Sequence, residues 1–272
     1  MTYSDFLAAF VLFPMLALGV FLIWEKRKDK SIASHHNDSK IATAIAIHMI
    51  LALLYTTPWD NYLVATGVWF YNPGLVSGIV LGYVPIEEYT FFLLQTLFVG
   101  LWWQLIARRI TSLEAFKPSA RLRLGFMAIA ILIWLGSAFI LINHLKPMTY
   151  LSIILFWVIP PIIPQLAFGA DILWHHRKLL AWTILPMGLY LSFADSLAIA
   201  SGTWTINPVQ STGIFIGKLP LEEAIFFFVT VTLISFGMTL LTAKESRSRW
   251  MEIKKTFKRF SARMSNEQTL HF

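Results

Sequence analysis

The chain has 272 residues, 57% of them hydrophobic and only 14% charged; a soluble domain carries about 25% charged residues, so this composition excludes an ordinary soluble protein. It has no cysteine, which rules out disulfides, thiolate catalysis and cysteine metal sites. The formal net charge of +7 would suit a nucleic-acid binder, but the basic residues sit between apolar runs, and no nucleic acid is expected as a partner.

Ser4–Trp24 is an apolar run broken by Asp5 and Pro14, about as long as a bilayer span and with no small-residue cleavage site behind it. It reads as a retained helix and not as a signal peptide. Glu25–Lys40 is polar and basic, a solvated loop. Ile41–Thr57 is the second span. Residues 58–83 are rich in Gly, Pro and aromatics, too broken for one helix and too apolar for an exposed loop, which predicts a re-entrant or hairpin element at the membrane face. Val84–Ala107 is the third span, Arg108–Arg123 a basic loop and Leu124–Asn143 the fourth span. Tyr150–Leu173 is the fifth, with Pro160, Pro161 and Pro164 expected to kink it. After a tight basic turn at His175–Lys178, Leu179–Ala200 is the sixth span, and Leu219–Thr242 the seventh. The tail from Lys244 is basic, and Trp250, Ile253, Phe257 and Phe260 suit a weakly amphipathic helix on the membrane surface.

Of the 22 Lys and Arg, 20 fall in the loops after spans 1, 3 and 5 or in the tail, leaving Lys146 and Lys218 on the other side. The positive-inside rule then puts the C-terminus in the cytoplasm and the N-terminus outside.

One stretch occurs twice. Residues 60–92 and 195–227 match in register at an offset of 135, with Asp60, Gly67, Trp69, Asn72, Pro73, Pro85, Glu87, Glu88, Phe91 and Phe92 repeated as Asp195, Gly202, Trp204, Asn207, Pro208, Pro220, Glu222, Glu223, Phe226 and Phe227. An internal duplication organises the whole reading. It predicts an all-α integral membrane protein of seven transmembrane helices arranged 3 + 1 + 3, multi-pass in the cell membrane. Residues 1–110 are the first three-helix repeat, 111–148 a linker with the fourth helix, 149–243 the second repeat and 244–272 the cytoplasmic tail. The fourth span makes the two repeats parallel, so both acid clusters lie at one depth around a shared cavity, as repeat interfaces in membrane proteins allow.

Each repeat opens a span with Pro-x-Glu-Glu. Proline at the first helical position and Glu in the first turn are also ordinary helix-start residues. Against that bland reading stands the cost of a carboxylate in hydrocarbon, roughly 2.5–3.5 kcal/mol on insertion scales, for a pair that is doubled and followed by Phe-Phe. With Asp60 and Asp195 nearby, three carboxyl groups in a dry place cannot all ionise, and one that keeps its proton is a Brønsted acid facing an apolar substrate. Adjacent glutamates on a helix point about 100° apart, so one of each pair faces the cavity and the other is anchored by a polar group such as Asn72 or Asn207. Asn-Pro is equally a turn signal. Trp69, Trp204, Phe91, Phe92, Phe226 and Phe227 sit beside the acids; ring faces stabilise cations, although packing alone explains any single ring.

At these paired Pro-x-Glu-Glu motifs the chain resembles the non-flavin, heterodimer-derived lycopene cyclase domain, in which two three-span units, each with a Pro-x-Glu-(Glu/Asp) motif, form one cyclase or are fused in one chain. The resemblance covers about residues 1–243. It implies closure of lycopene ends to β-ionone rings, through γ-carotene to β-carotene, without redox change and without a cofactor or metal. Glu87 or Glu88 and Glu222 or Glu223 supply acid and base, with Asp60 and Asp195 tuning them. Trp69, Trp204, Asn72, Asn207 and the four phenylalanines are the candidate substrate contacts. The substrate comes from the bilayer, and pathway enzymes or a second copy are conceivable partners. Fungal relatives carry a phytoene synthase domain after the cyclase; the short basic tail here carries no such expectation. The chief alternative is a proton-coupled transporter with acids in repeated halves, which would more often break its helices near the midplane. A retinal photoreceptor would want a lysine within the seventh span, where Lys218 is only at the outer end, and a diphosphate-dependent transferase would want Asp-rich motifs, where Asp171 stands alone. His48 and His144 have no ligand-spaced partner, and the pairs His35-His36 and His175-His176 lie in predicted inner loops, so no metal site is expected.

Overall fold

The computed structural model describes residues 1–28, 38–110 and 115–269, of which 257–269 by backbone alone. The loop residues 29–37, including His35 and His36, and 111–114 lie outside the described residues, as do the side chains of Phe257 and Phe260. Among the described residues seven helices are long and apolar enough to cross a membrane: α1 Tyr3–Lys28, α2 Asp38–Ala65, α3 Ile86–Ala107, α4 Ala120–Ile142, α5 Thr149–His175, α6 Arg177–Ala200 and α7 Leu221–Thr242. An eighth, α8 Lys244–Thr269, is polar, with Trp250 and Ile253 exposed.

The expectation of an all-α chain misses six short strands, paired as three two-stranded ribbons: β1 Trp69–Tyr71 with β4 Trp204–Ile206, β2 Val80–Leu81 with β3 Val84–Pro85, and β5 Phe215–Ile216 with β6 Leu219–Pro220. The hairpin element expected between spans 2 and 3 is therefore partly β. Backbone groups that leave a helix in an apolar place must find partners, and the ribbons supply them. Ile79, Leu81 and Tyr83 of one hairpin, and Ile214, Phe215 and Ile216 of the other, are exposed apolar residues.

Two helices differ from the sequence reading, one in where it ends and one in where it breaks. Helix α2 continues through Pro58 to Ala65, so Asp60 lies inside it and not beyond its end. Proline removes the helical donor to Leu54 O; on either side of it Thr57 Oγ1 donates to Leu53 O at 2.6 Å and Asn61 Nδ2 to Thr57 O at 2.9 Å. In α5 the backbone leaves helical geometry at Gly169 (φ −153°, ψ 30°) and not at Pro160, Pro161 or Pro164. An added Cβ at Gly169 would strike Leu240, so the glycine allows α7 to approach closely.

Helices α3 and α7, which carry the Glu pairs, are the most buried of the seven; α4 is the least buried, packing on α5 and turning Leu132, Phe139 and Ile142 outward. Helix α2 packs on both α3 and α7, and α6 on both α7 and α3. The loops of the two duplicated stretches are stitched together. The β1–β4 ribbon is centred on Phe70 opposite Thr205. Asn72 N donates to Thr203 O at 3.0 Å and Asn207 N to Val68 O at 2.8 Å; Tyr3 N donates to Leu75 O at 2.8 Å and Tyr150 N to Gln210 O at 2.9 Å.

The opposite ends of the helices are pinned by ion pairs. Arg108 and Arg109, just past the end of α3, reach Glu25 of α1, and Arg108 also reaches Asp38 of α2. Asp171, which belongs to no Asp-rich motif, serves the fold. It takes both Nη atoms of Arg249, at 2.7 and 2.6 Å, and the backbone N–H of Ser119 at 2.9 Å, which docks α8 and the segment before α4 against α5. His175 and His176 meet Glu245 from far along the chain, a grouping no local spacing could announce.

Gly82 sits in the left-handed region at φ +70°, and an added Cβ would collide with Asn61 Oδ1, which already accepts the Tyr83 N–H at 2.7 Å. Gly82→Ala is expected to lower stability by about 1–3 kcal/mol. Gly19→Ala, whose Cβ meets nothing, should leave it unchanged or raise it. Thermal unfolding of the detergent-solubilised protein checks both.

Candidate functional site

The two members of each Glu pair do different things. Glu87 takes the backbone N–H of Ser77 at 2.6 Å and the Ser77 hydroxyl at 3.0 Å. Glu222 takes the backbone N–H of Thr212 at 2.5 Å. Both carboxyl groups are buried, and each ties the loop before its hairpin to the first turn of its helix. The anchors are thus Ser77 and Thr212 and not Asn72 or Asn207. Those asparagines cap their own turns instead, accepting from Gly74 N and Val209 N at 3.0 Å each, while Asn207 Nδ2 also bonds Gly67 O at 2.8 Å.

The second glutamates, Glu88 and Glu223, turn about 100° away, as the helix repeat requires, and line one small apolar cavity of about 30 Å³. The Glu88 Oε2 accepts from Tyr71 at 2.9 Å and from the Tyr3 hydroxyl; the Glu223 Oε1 accepts from Tyr150 at 2.5 Å. Asp195 joins the lining and holds Trp204 Nε1 at 3.0 Å. Asp60 is fully buried within electrostatic reach of Glu88 and Glu223, and neither of its oxygens accepts a protein hydrogen bond. No Lys, Arg or His is among the residues lining this cavity.

The walls are rings. Trp204 packs 4.9 Å from Tyr3 and edge-on to Phe6 at 5.1 Å; Trp69 meets Tyr150 edge-on at 5.8 Å; Phe91 and Phe227 meet edge-on at 6.2 Å. Phe226 lies flat against Trp59 at 5.6 Å. Such faces favour a cation placed over them by about 0.5–2 kcal/mol each.

Of the candidates read from sequence, the fold brings together Glu88, Glu223, Asp195, Trp69, Trp204, Phe91, Phe226 and Phe227 as lining, with Asp60 just behind. Glu87, Glu222, Asn72 and Asn207 serve the loops, and Phe92 lines a neighbouring cleft. Sequence reasoning missed Tyr3, Phe6, Tyr71 and Tyr150. Tyr3 and Tyr150 both open the first helix of their three-span unit, but 147 residues apart, which a search at the offset of 135 passes over.

Glu87→Ala removes two buried bonds to a carboxylate and leaves the Ser77 N–H without a partner. It should cost about 1.5–3 kcal/mol of stability, whereas Glu87→Gln, which keeps an acceptor there, should cost under about 1 kcal/mol; unfolding in detergent distinguishes them.

A family model described as lycopene cyclase matches residues 2–106 and 147–241. The chain is 41% identical to a lycopene beta-cyclase of Halobacterium salinarum over 240 residues, covering 88% of this chain and 95% of that one. It is 32% identical to a bifunctional lycopene cyclase/phytoene synthase of Aspergillus niger over 202 residues, 71% of this chain but 34% of the fungal one. No solved structure matches.

Proposed function

We propose that this chain, which belongs to the lycopene cyclase family, closes the linear ends of lycopene into β-ionone rings, giving γ-carotene and then β-carotene without net redox change. The observation that carries the reading is the pairing of Glu88 and Glu223, from two different helices, in one ring-walled cavity whose lining holds no cation. Four carboxyl groups in such a place cannot all give up their protons, because each isolated ion loses its hydration and repels the others.

The reaction then needs little. A carboxylic acid protonates the terminal double bond and leaves a tertiary cation. The next reachable double bond attacks it, closing a six-membered ring and moving the charge into the ring. A carboxylate removes a ring proton and the alkene forms. Glu88 and Glu223 supply the acid and the base, Tyr3, Tyr71 and Tyr150 hold them in place, and Asp60 and Asp195 set their charge state. The rings of Trp69, Trp204, Phe91, Phe226 and Phe227 face the cation. No nucleotide or metal takes part in any step. A proton-coupled transporter finds no support in the relatives.

The same reading describes the chain as two parallel three-span units, 1–110 and 149–243, joined by 111–148 with its fourth span and followed by a cytoplasmic tail, 244–272. The bonds at Asn72 and Asn207, Tyr3 and Tyr150, and Ser77 and Thr212 are matched pairs, and the family match falls in two blocks; both support a two-fold relation about the membrane normal. The protein is then a multi-pass protein of the cell membrane, N-terminus outside, with the acids toward the outer leaflet. It draws its carotenoid from the lipid, and pathway enzymes or a second copy of the chain are its candidate neighbours.

In lycopene-accumulating cells, Glu88→Gln and Glu223→Gln are each expected to cut cyclised carotenoid by about 100-fold or more, the usual contribution of a positioned acid or base, while Glu87→Gln stays within a few-fold of the parent. Undiminished β-carotene from the Glu88→Gln/Glu223→Gln double variant would overturn the assignment.

A further inference from the structure

The cavity between the acids is too small for the group it must transform. A space of about 30 Å³ holds one water molecule, whereas an apolar cavity of about 150 Å³ is what accepts a benzene ring. Beside it lies a cleft of about 210 Å³, large enough for the end of a polyene. Its walls come from α2, α3, α5 and α7, and include Ala52 and Tyr55 of α2, Trp157 of α5 and Thr230 of α7. One side chain, Phe226, lines both spaces.

We propose that the reacting end of the hydrocarbon comes in sideways from the bilayer, through the seam between α2 and α5, and that the Phe226 ring is the movable wall between that cleft and the acids. This rests on the cyclase reading and says where its substrate lies. Three observations carry it. The mouth opens between Leu51 and Tyr55, both exposed on the lipid-facing side of α2, and Pro161 of α5. The seam is closed by stacked rings: Tyr55 stacks on Trp157 at 5.6 Å and donates to its carbonyl at 2.8 Å, Trp157 Nε1 donates back to the Tyr55 carbonyl at 3.5 Å, and Trp59 stacks on Trp157 at 4.4 Å. And the cleft runs along α7 from Phe226, under one turn beyond Glu223, past Thr230 to Ile234, about three turns beyond it, or about 5–17 Å at 1.5 Å per residue. That direction leads from the acid end of the bundle toward the hydrocarbon interior, where a carotenoid lies.

The equivalent positions on the other side of the bundle carry bulkier side chains: at the offset of 135, Met187, Gln95 and Phe98 stand where the cleft has Ala52, Thr230 and Leu233. Phe98, which precedes Leu233 by the offset of 135, packs edge-on to Tyr190 at 5.9 Å. The corresponding wall residue, Phe91, is wedged against Phe6 at 6.1 Å. Phe226 instead lies flat on Trp59 and Trp157, a stack along which a ring can slide or turn without losing its neighbours.

The test separates binding from chemistry. In the Glu88→Gln/Glu223→Gln background, expressed in lycopene-accumulating cells and purified in mild detergent, lycopene is expected to co-purify with the protein. Adding Ala52→Phe, which fills the cleft, should lower pigment per protein at least fivefold. Leu54→Phe, on the exposed face of the same helix, should not. In the otherwise unaltered enzyme, Phe226→Trp should lower kcat at least tenfold with KM little changed, because the cleft still binds but the passage is narrowed. Gel filtration and thermal unfolding show that each variant is folded. Equal pigment with Ala52→Phe and Leu54→Phe, at any level, or an unaltered kcat for Phe226→Trp, overturns the route. Failure of the cyclase reading itself shows separately, as an unaltered enzyme that makes no ring.

Discussion

The structure depends on carboxyl groups held together around one ring-walled cavity whose lining holds no Lys, Arg or His to neutralise them. Glu88, Glu223 and Asp195 line one cavity, with Tyr3, Tyr71, Tyr150 and Trp204 as their hydrogen-bond donors, and Asp60 stands behind it without one; all four are buried. A phenol bonded to a carboxylate contributes about 1.5–3 kcal/mol. Stripping water from an ion costs several kcal/mol even after the protein relaxes. The donors therefore offset the burial of some of the charge and not of all of it, which is the physical ground for the proposal that the cluster keeps a proton.

The rest of the fold maintains that situation. The first glutamate of each pair is spent on structure: Glu87 and Glu222 lace the preceding loops to their helices, so the second glutamate is delivered at a fixed angle. The β1–β4 ribbon and the paired bonds of Asn72 and Asn207 hold the two loops against each other above the cavity. Ion pairs at the far ends of the helices, Arg108 with Glu25 and Asp38 and Arg249 with Asp171, keep the charges that do ionise well away from the acids.

Much of this was legible before any coordinates, because a duplication writes the same constraint twice. Seven spans, the pairing of Asp60 with Asp195 and of Glu88 with Glu223, and the aromatic surroundings follow from apolar run length and from the offset of 135. What stayed hidden has physical causes. Which glutamate faces inward depends on helix phase relative to neighbours, and the partners Ser77 and Thr212 were not singled out because serine and threonine in a loop carry no distinguishing pattern. Tyr3 and Tyr150 come from helices whose connections to the next span differ in length, so their correspondence breaks register. Helix α2 runs through Pro58, where a local rule that stops helices at proline ends it too early. The contact of Phe226 with two cavities is a property of packing among four helices, and no sequence window contains it.

The central claim is that a proton held in this cluster is handed to a hydrocarbon and stays there. Turnover of lycopene by the purified protein in deuterated buffer, followed by mass spectrometry of the product, reads it directly. The account predicts one deuterium for each ring closed, so that β-carotene gains two and γ-carotene one. Rings formed without deuterium would contradict it, since the cluster would then not be the source of the proton that starts the closure.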